Sequence, residues 1–329
     1  SSCVASKRPR ADELCAMASW WGSVTNACKG CCGANNTTSN DQFDGMPSTT
    51  AKAYLFEEQV PSSVDRDIGA VGANVAAPSA AVAKQGEASE LQERPEVKVE
   101  AGARYTGQWR GEQRHGKGVL IRPDGQKYEG EFVNGRSHGE GVFEAPNGNK
   151  YKGQWEQDRA HGHGEYIHAD GSSYEGEWYQ DDKSGRGIEK WADGAQYEGE
   201  FSHGSKHGVG TYQSGTGIIY EGQFRHDKMD GEGMYKFADG RKFIGQWQHG
   251  HMNGKGKTEW PNGCKHEGLY ERDVKHGEGV FTWPDGREYR GQWRNGKQDG
   301  TGTTIDKNGV STTGEWRNGE RVGNKANAG

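Results

Sequence analysis

Carboxylates at a fixed interval are the first candidates for chemistry: Glu129, Glu175, Glu198 and Glu221 occupy the same register of a 23-residue unit. Two such groups could act as general acid and base, but that division of labour needs environments that push their pKa values apart. Units repeated in sequence supply repeated environments, so no catalytic residue is assigned. All 12 histidines fall at or after His115, mostly at turn positions. His161 and His163 have a chelating spacing, yet turn capping accounts for them better than a metal does. Gly111 to Lys117 reads like most of a phosphate-binding loop, but Gly118 stands where Ser or Thr should hold magnesium, and no helical segment follows. The sequence calls for no metal and no cofactor. The remaining reactive groups are the thiols of Cys28, Cys31 and Cys32, which crowd together close to Trp20 and Trp21.

The elements that position these groups are set by the repeat. A pentad with an aromatic at each end and Gly between begins at Tyr105, Tyr128, Tyr151, Tyr174, Tyr197, Tyr220, Phe243, His266, Tyr289 and Thr312. A fixed period with no insertion marks one supersecondary element stacked on its copies, hence a linear array. Counting the first aromatic as position zero, positions zero, two and four share one face of a strand, while positions one and three share the other. Tyr128, Gly130 and Phe132 therefore point one way, and Glu129 and Glu131 the opposite way. Position four carries Trp109, Phe132, Trp155, Trp178, Phe201, Phe224, Trp247, Tyr270, Trp293 and Trp316. Most of this ladder is structural, since ring stacking replaces a second layer. The glycine at position two leaves room for rings from neighbouring strands to cross its backbone.

Positions 11 and 13 are Gly in every complete unit, from Gly116 and Gly118 to Gly300 and Gly302, and lead into β-prone residues such as Val142-Phe143. Positions 19 and 20 read Asx-Gly in all units but one, Thr216-Gly217, as in Asp124-Gly125 and Asn147-Gly148, a hairpin cue in which both turn residues are expected at positive φ. Each unit is thus read as a β-hairpin and none as a helix. The fold class is all-β: an elongated, single-layer antiparallel hairpin array, on the order of 100 Å long at roughly 10 Å of advance per unit. Trp191, Trp260 and Trp283 at position 17 are the candidate partner-binding residues, provided stacking does not consume them.

Composition agrees with an array. Gly is 54 of 329 residues and hydrophobic residues are 30%, so a two-layer core is not available. The formal net charge of -6 gives no basic field for nucleic acid or an anionic membrane. No apolar run reaches the roughly 18 residues of a membrane span, and no secretory leader is evident, so a cytoplasmic site is expected. Five of the six cysteines precede residue 33, which excludes a disulfide framework for the array. Residue 1 is Ser and the first Met is Met17; the chain is a fragment, or its natural start is Met17.

The unit running from Tyr128-Glu-Gly-Glu-Phe-Val-Asn-Gly through His138-Gly139-Glu-Gly141 to Pro146-Asn147-Gly148 closely resembles the MORN repeat (membrane occupation and recognition nexus). Ten in-register copies cover about two thirds of the chain; His266 and Thr312 depart from the leading aromatic, and the last pentad looks like a terminal cap. The resemblance implies an extended β array that scaffolds cytoskeletal or membrane-associated assemblies, often as a dimer. It also implies two other settings, the flagellar or ciliary radial spoke and the targeting region of a larger enzyme such as a phosphatidylinositol phosphate kinase.

Residues 1–101 are read as a disordered N-terminal tail, with a Cys/Trp-containing segment at 17–32. Residues 102–323 form the array and 324–329 a C-terminal tail. Three readings of the Cys28, Cys31, Cys32 cluster stay open: S-acylation beside interfacial indoles, a metal site, or an unmodified tail. The sequence thus points to a non-enzymatic scaffold whose aromatic-lined ribbon takes an elongated protein partner or cytoskeletal assembly. Its expected address is the cytoplasm, at the membrane cortex, the cytoskeleton or a flagellum, with tail-mediated membrane association and homodimerisation through unpaired sheet edges.

Overall fold

A computed structural model describes residues 90–322. They form one antiparallel sheet of 21 strands in which every strand pairs only with its neighbours in the chain. After β1 (Gln92–Lys98) the strands come in unit pairs: β2 (Arg104–Arg110) and β3 (Gln113–Ile121), β4 (Lys127–Val133) and β5 (Arg136–Glu144), β6 (Lys150–Glu156) and β7 (Arg159–Ile167), β8 (Ser173–Tyr179) and β9 (Asp182–Lys190), β10 (Gln196–Ser202) and β11 (Ser205–Gln213). The rest are β12 (Ile219–Arg225) and β13 (Lys228–Lys236), β14 (Lys242–Gln248) and β15 (His251–Glu259), β16 (Lys265–Glu271) and β17 (Val274–Thr282), β18 (Glu288–Arg294) and β19 (Lys297–Ile305), β20 (Ser311–Arg317) and β21 (Glu320–Arg321). The all-β, single-layer reading holds, and the array spans all ten units.

The core is a spine of edge-to-face rings. Tyr105 meets Trp109 of its own unit at 5.2 Å and Phe132 of the next at 5.1 Å, and this contact repeats at 5.0 to 5.4 Å up to the Tyr289–Trp316 pair. Edge-to-face geometry places the positive ring rim on the negative ring face. Each phenol at position zero donates to the carbonyl at position three, as Tyr151 does to Gln154 O at 2.9 Å, so the buried hydroxyl is satisfied. Burial pushes the Tyr105 hydroxyl up to about 12.

Glycine makes the spine sterically possible. Positions two and 13 face each other across every strand pair, as in Gly130↔Gly141 and Gly141↔Gly153, producing a continuous glycine track along the ribbon. A Cβ at Gly141 would stand 2.4 Å from Tyr128 Oη, so the ring occupies the space a side chain would need.

The turns differ from the sequence reading. At Asp124-Gly125 only Gly125 has positive φ (93°); the loop is a turn closed by Gly125 N–H donating to Arg122 O at 3.0 Å, and Asp124 Oδ1 accepts the Gln126 N–H at 3.0 Å. The tight turns with two left-handed residues lie instead at positions six and seven: Asn134 (51°) and Gly135 (85°), Gln157 (50°) and Asp158 (69°). Non-glycine residues hold that conformation because the turns bond laterally. Asp158 Oδ1 accepts Ser137 N–H at 2.8 Å while Asp158 N–H donates to Ser137 O at 3.1 Å. Asp181, Asp227 and Asp273 repeat the side-chain contact at 2.8 Å.

Each unit also carries a bulge opposite position three, marked by positive φ at position 11, such as 70° at Gly116. The position-three amide or carboxylate closes it: Gln108 Oε1 accepts Lys117 N–H at 2.9 Å, and Gln246 Oε1 accepts Lys255 N–H at 2.8 Å.

The ends are more structured than the sequence implied. Residues 92–98, read as part of the tail, form β1 on the outer side of β2, and Arg94 lies 4.9 Å over the Trp109 ring while donating to Gly111 O at 2.7 Å. Its polar composition and Pro95, which lies in the register shift between Arg94 and Val97, masked it as a strand and also suit it to a sheet edge. The last unit, read as a terminal cap, has a short second strand, β21, paired to β20 at Trp316↔Arg321 and Arg317↔Glu320. Cys28, Cys31, Cys32 and the rest of residues 1–89, with 323–329, lie outside the described residues.

Candidate functional site

The aromatic face is closed. Trp109, Phe132, Trp155, Trp178, Phe201, Phe224, Trp247, Trp293 and Trp316 are all buried, as is Tyr270, because each ring is covered by rings of its own and adjoining units. The rings that line the ribbon therefore pack into its core and offer no open groove on that face.

A groove does run along the opposite face, over the glycine track. Its C-terminal stretch encloses about 1370 Å³, with Ile244, Leu269 and Val280 among its walls; its central stretch encloses about 850 Å³, with Glu175, Glu198 and Val209 among its walls. Glycine forms the floor because positions two and 13 carry no side chain, while positions one, three, 12 and 14 rise on either side. Two exposed aliphatics are conspicuous in it, Val209 at 57% and Ile244 at 54%. These residues escaped the sequence reading. Their signal was the break in the register, Ile244 at position one and Leu269 at position three, where most units carry Glu, Gln or another polar residue.

Trp191, Trp260 and Trp283 are half-buried at the margin of the aromatic face. Trp191 packs on Tyr212 at 6.1 Å, and Phe281 lies between Trp260 at 5.7 Å and Trp283 at 4.8 Å. They join the stacking as a second row and do not line the groove.

Cations at position nine lie against these rings. Lys206 Nζ is 4.8 Å from the Trp191 centroid, and Lys275 Nζ is 4.3 Å from that of Trp293. Burial lowers the Lys275 ammonium to about 8. Glu189, at a position often aromatic in other units, receives Lys183 at 2.5 Å and Lys206 at 2.9 Å. Burial alone would push its carboxyl up, but the two ammonium groups outweigh that and hold it below the usual range.

The other candidates have structural places. Glu129, Glu175, Glu198 and Glu221 are exposed. His115 Nδ1 accepts Asn134 N–H at 3.4 Å, a turn-capping contact, and His161 Nδ1 is 3.3 Å from Glu156 Oε2. Gly111-Glu112 is a tight turn and Gly116 a bulge glycine, so the phosphate-loop likeness follows from the repeat. Among the described residues there is no group of three His, Cys, Asp or Glu placed to hold a metal, and no helix long and apolar enough to cross a membrane.

The family model described as MORN repeat matches residues 105–127, 128–150, 151–173, 174–196, 197–218, 220–240, 243–265, 266–286, 289–311 and 313–324. The comparison with curated proteins gave no match. Among solved structures, the chain is similar to the TCP domain of Drosophila melanogaster SAS-4 (dCPAP) in complex with a proline-rich motif of Ana2 (dSTIL), at 12% identity over 68% of this chain and 99% of that one, with a TM-score of 0.25. It is similar to the TCP10 domain of Danio rerio CPAP in complex with a peptide of Danio rerio STIL, at 14% identity over 68% and 97%, with a TM-score of 0.25. A streptogramin B lyase matches at 14% identity over 68% and 69%, with a TM-score of 0.14. At these scores the structural likenesses carry no functional argument.

Proposed function

This chain belongs to the MORN-repeat family, a family of non-enzymatic repeat modules for protein interaction or membrane association, and from that premise we propose that it is a scaffold whose ribbon seats an elongated protein partner. The observation that supports this reading is the groove on the open face. A stacked ring spine holds the ribbon together on one side, so the other side is left free to bind. Extended concave surfaces are how repeat proteins use such geometry.

The partner belongs to a cytoskeletal or membrane-associated assembly in this proposal, and the chain reaches it as a homodimer. The tether is the Cys28, Cys31, Cys32 cluster, for which hydroxylamine-sensitive acyl labelling is the direct assay; unlabelled cysteines would remove the tether and leave the groove untouched.

The groove is tested with a photo-crosslinking residue at Ile244 or Val209, and at Asp193 in an exposed turn as control. The expected result is one common protein adduct from both groove positions and none from Asp193. Adducts that form equally from Asp193 would sink the groove as the binding surface.

A further inference from the structure

The two stretches of the groove differ in chemistry. The central stretch is walled by five carboxylates, Glu140, Glu165, Glu175, Glu198 and Glu200, against Lys152, Arg186 and His163, with Ile188 and Val209 as its aliphatic residues. In the C-terminal stretch Lys255, Lys257, Lys265 and Arg290 balance four glutamates, beside the aliphatic side chains of Ile244, Leu269 and Val280. All of these carboxylates except Glu200 and Glu288 are exposed, and none of Ile244, Leu269 and Val280 is buried.

The sequence of charges is not a by-product of the repeat. Leu269 gives up the bulge-closing contact that position three makes in six other units: Gln292 Oε1 accepts Thr301 N–H at 3.1 Å, whereas Leu269 has no acceptor for the Glu278 N–H. Its Cδ1 instead fills the space over Gly277, where a Cβ would stand 2.9 Å away. A structural preference is lost at the point where an apolar wall appears.

Resting on the groove reading above, we propose that the occupant is a segment of a protein partner that lays a basic run over the central carboxylates and aliphatic side chains on Ile244, Leu269 and Val280. The central stretch crosses the seven strands β5 to β11, about 29 Å at 4.8 Å per strand, which an extended run of roughly nine residues spans. Clustered carboxylates attract such a run and repel phosphate groups, so an anionic lipid surface or a nucleic acid meets an unfavourable field there. Register is set by the difference in charge between the two stretches and by Leu269, which stands where every other unit has Glu or Gln at position three.

The test uses the full chain and fluorescence anisotropy with a labelled peptide that carries a lysine run followed by spaced leucines. A charge-reversed peptide with a glutamate run and vesicles containing phosphatidylserine serve as competitors. Glu175→Lys with Glu198→Lys alters exposed side chains only, and circular dichroism verifies that the fold is intact. The expected result is that the lysine peptide binds, that this double variant weakens it about tenfold or more, and that Leu269→Gln weakens it by roughly threefold to tenfold. Undiminished binding by the double variant overturns the charge reading. Preferential binding of the glutamate peptide, lost in Leu269→Gln, overturns it too but leaves the groove as the partner site. Binding of vesicles alone, or of neither peptide, overturns the segment proposal outright, while the crosslinking result still decides the groove.

Discussion

His266 Nδ1 lies 2.9 Å from the Tyr270 hydroxyl, which is itself 2.6 Å from Thr258 Oγ1. The imidazole thus replaces the phenol that other units place at position zero, and it keeps the ring contacts, 5.2 Å to Tyr270 and 5.1 Å to Trp293. The hydrogen bond to the position-three carbonyl is lost, and Nε2 is buried with no hydrogen-bond partner among the described residues. The apolar core divides here, one cluster ending at Tyr270 and the other holding Phe281, Tyr289, Trp293 and Trp316.

His266→Tyr should therefore stabilise the array by about 1 kcal/mol, read as a higher urea midpoint at unchanged slope. The gain grows on acidification. Burial, and then the nearby Lys275 charge, lower the imidazole from 6.5 to about 3, so between those values the unfolded chain binds a proton that the folded chain refuses. Stability carried by neutral His266 is complete above pH 6.5 and falls as pH drops toward 3, by at most about 1.4 kcal/mol per pH unit. The difference between variant and native chain should widen from pH 7 to pH 5; an unchanged difference would show that His266 is not held neutral.

Two glycine substitutions separate sterics from backbone strain. Gly141→Ala puts a methyl 2.4 Å from Tyr128 Oη and 2.6 Å from its Cζ, so the ring must leave its place in the spine. Gly135→Ala meets nothing within 4 Å but must hold φ +85°. We expect a loss of about 2–3 kcal/mol for Gly141→Ala and about 1 kcal/mol for Gly135→Ala, measured by denaturant unfolding. The reverse order would mean that the rings do not enforce the track.

The carboxyl of Glu189 joins Lys183 and Lys206 in a site where their side chains are 9%, 11% and 4% exposed. Glu189→Gln leaves two ammonium groups with little compensation and should cost about 3 kcal/mol, whereas Glu189→Phe combined with Lys183→Met and Lys206→Met should be near neutral. The sign with pH is fixed by the lowered carboxyl: its contribution is present above the ordinary glutamate value and is lost as pH falls through the folded value. Thermal melts from pH 7 to pH 3 check this, and a triple variant as unstable as Glu189→Gln would show that packing, not charge, governs the site.

What the sequence disclosed follows period. The Tyr128–Gly130–Phe132 alternation, repeated every 23 residues, is a direct record of one face packed and one face wet, and ten copies average out local exceptions. Turn assignment failed where the evidence is lateral. Gln157-Asp158 lacks the glycine that marks such a turn, and its conformation is held by Ser137 in the preceding unit, which no local motif encodes. Strand β1 was missed for a similar reason, since Glu93-Arg94-Pro95-Glu96 is a poor strand except at an edge beside Trp109. Aromatic residues are the usual anchors of a binding surface, so the sequence points to the rings; burial of those rings by one another is a property of the stacked assembly. Leu269 and Ile244 became informative only against the register that the other units establish.

The two edges of the sheet are unlike, and the difference predicts how copies associate. β1 carries Pro95 and alternating charges, which blunt pairing. β20 is Ser-Thr-Thr-Gly-Glu-Trp-Arg, and β21 pairs with it only at Trp316 and Arg317. On its outer side Thr313 O accepts Arg321 Nη2 at 3.2 Å and Glu315 O accepts Val322 N–H at 2.8 Å, so the outward groups of Ser311 and Thr313 are left nearest to an incoming strand. We expect the full chain to form a homodimer at micromolar concentration through β20, and Thr313→Pro to make it monomeric with the fold retained, because proline there removes an outward N–H and one exposed hydroxyl contact, Thr313 Oγ1 to Thr303 Oγ1 at 3.0 Å. Light scattering after size exclusion gives the masses: a dimer that persists in Thr313→Pro places the contact elsewhere, and a native chain that is monomeric throughout rejects self-association.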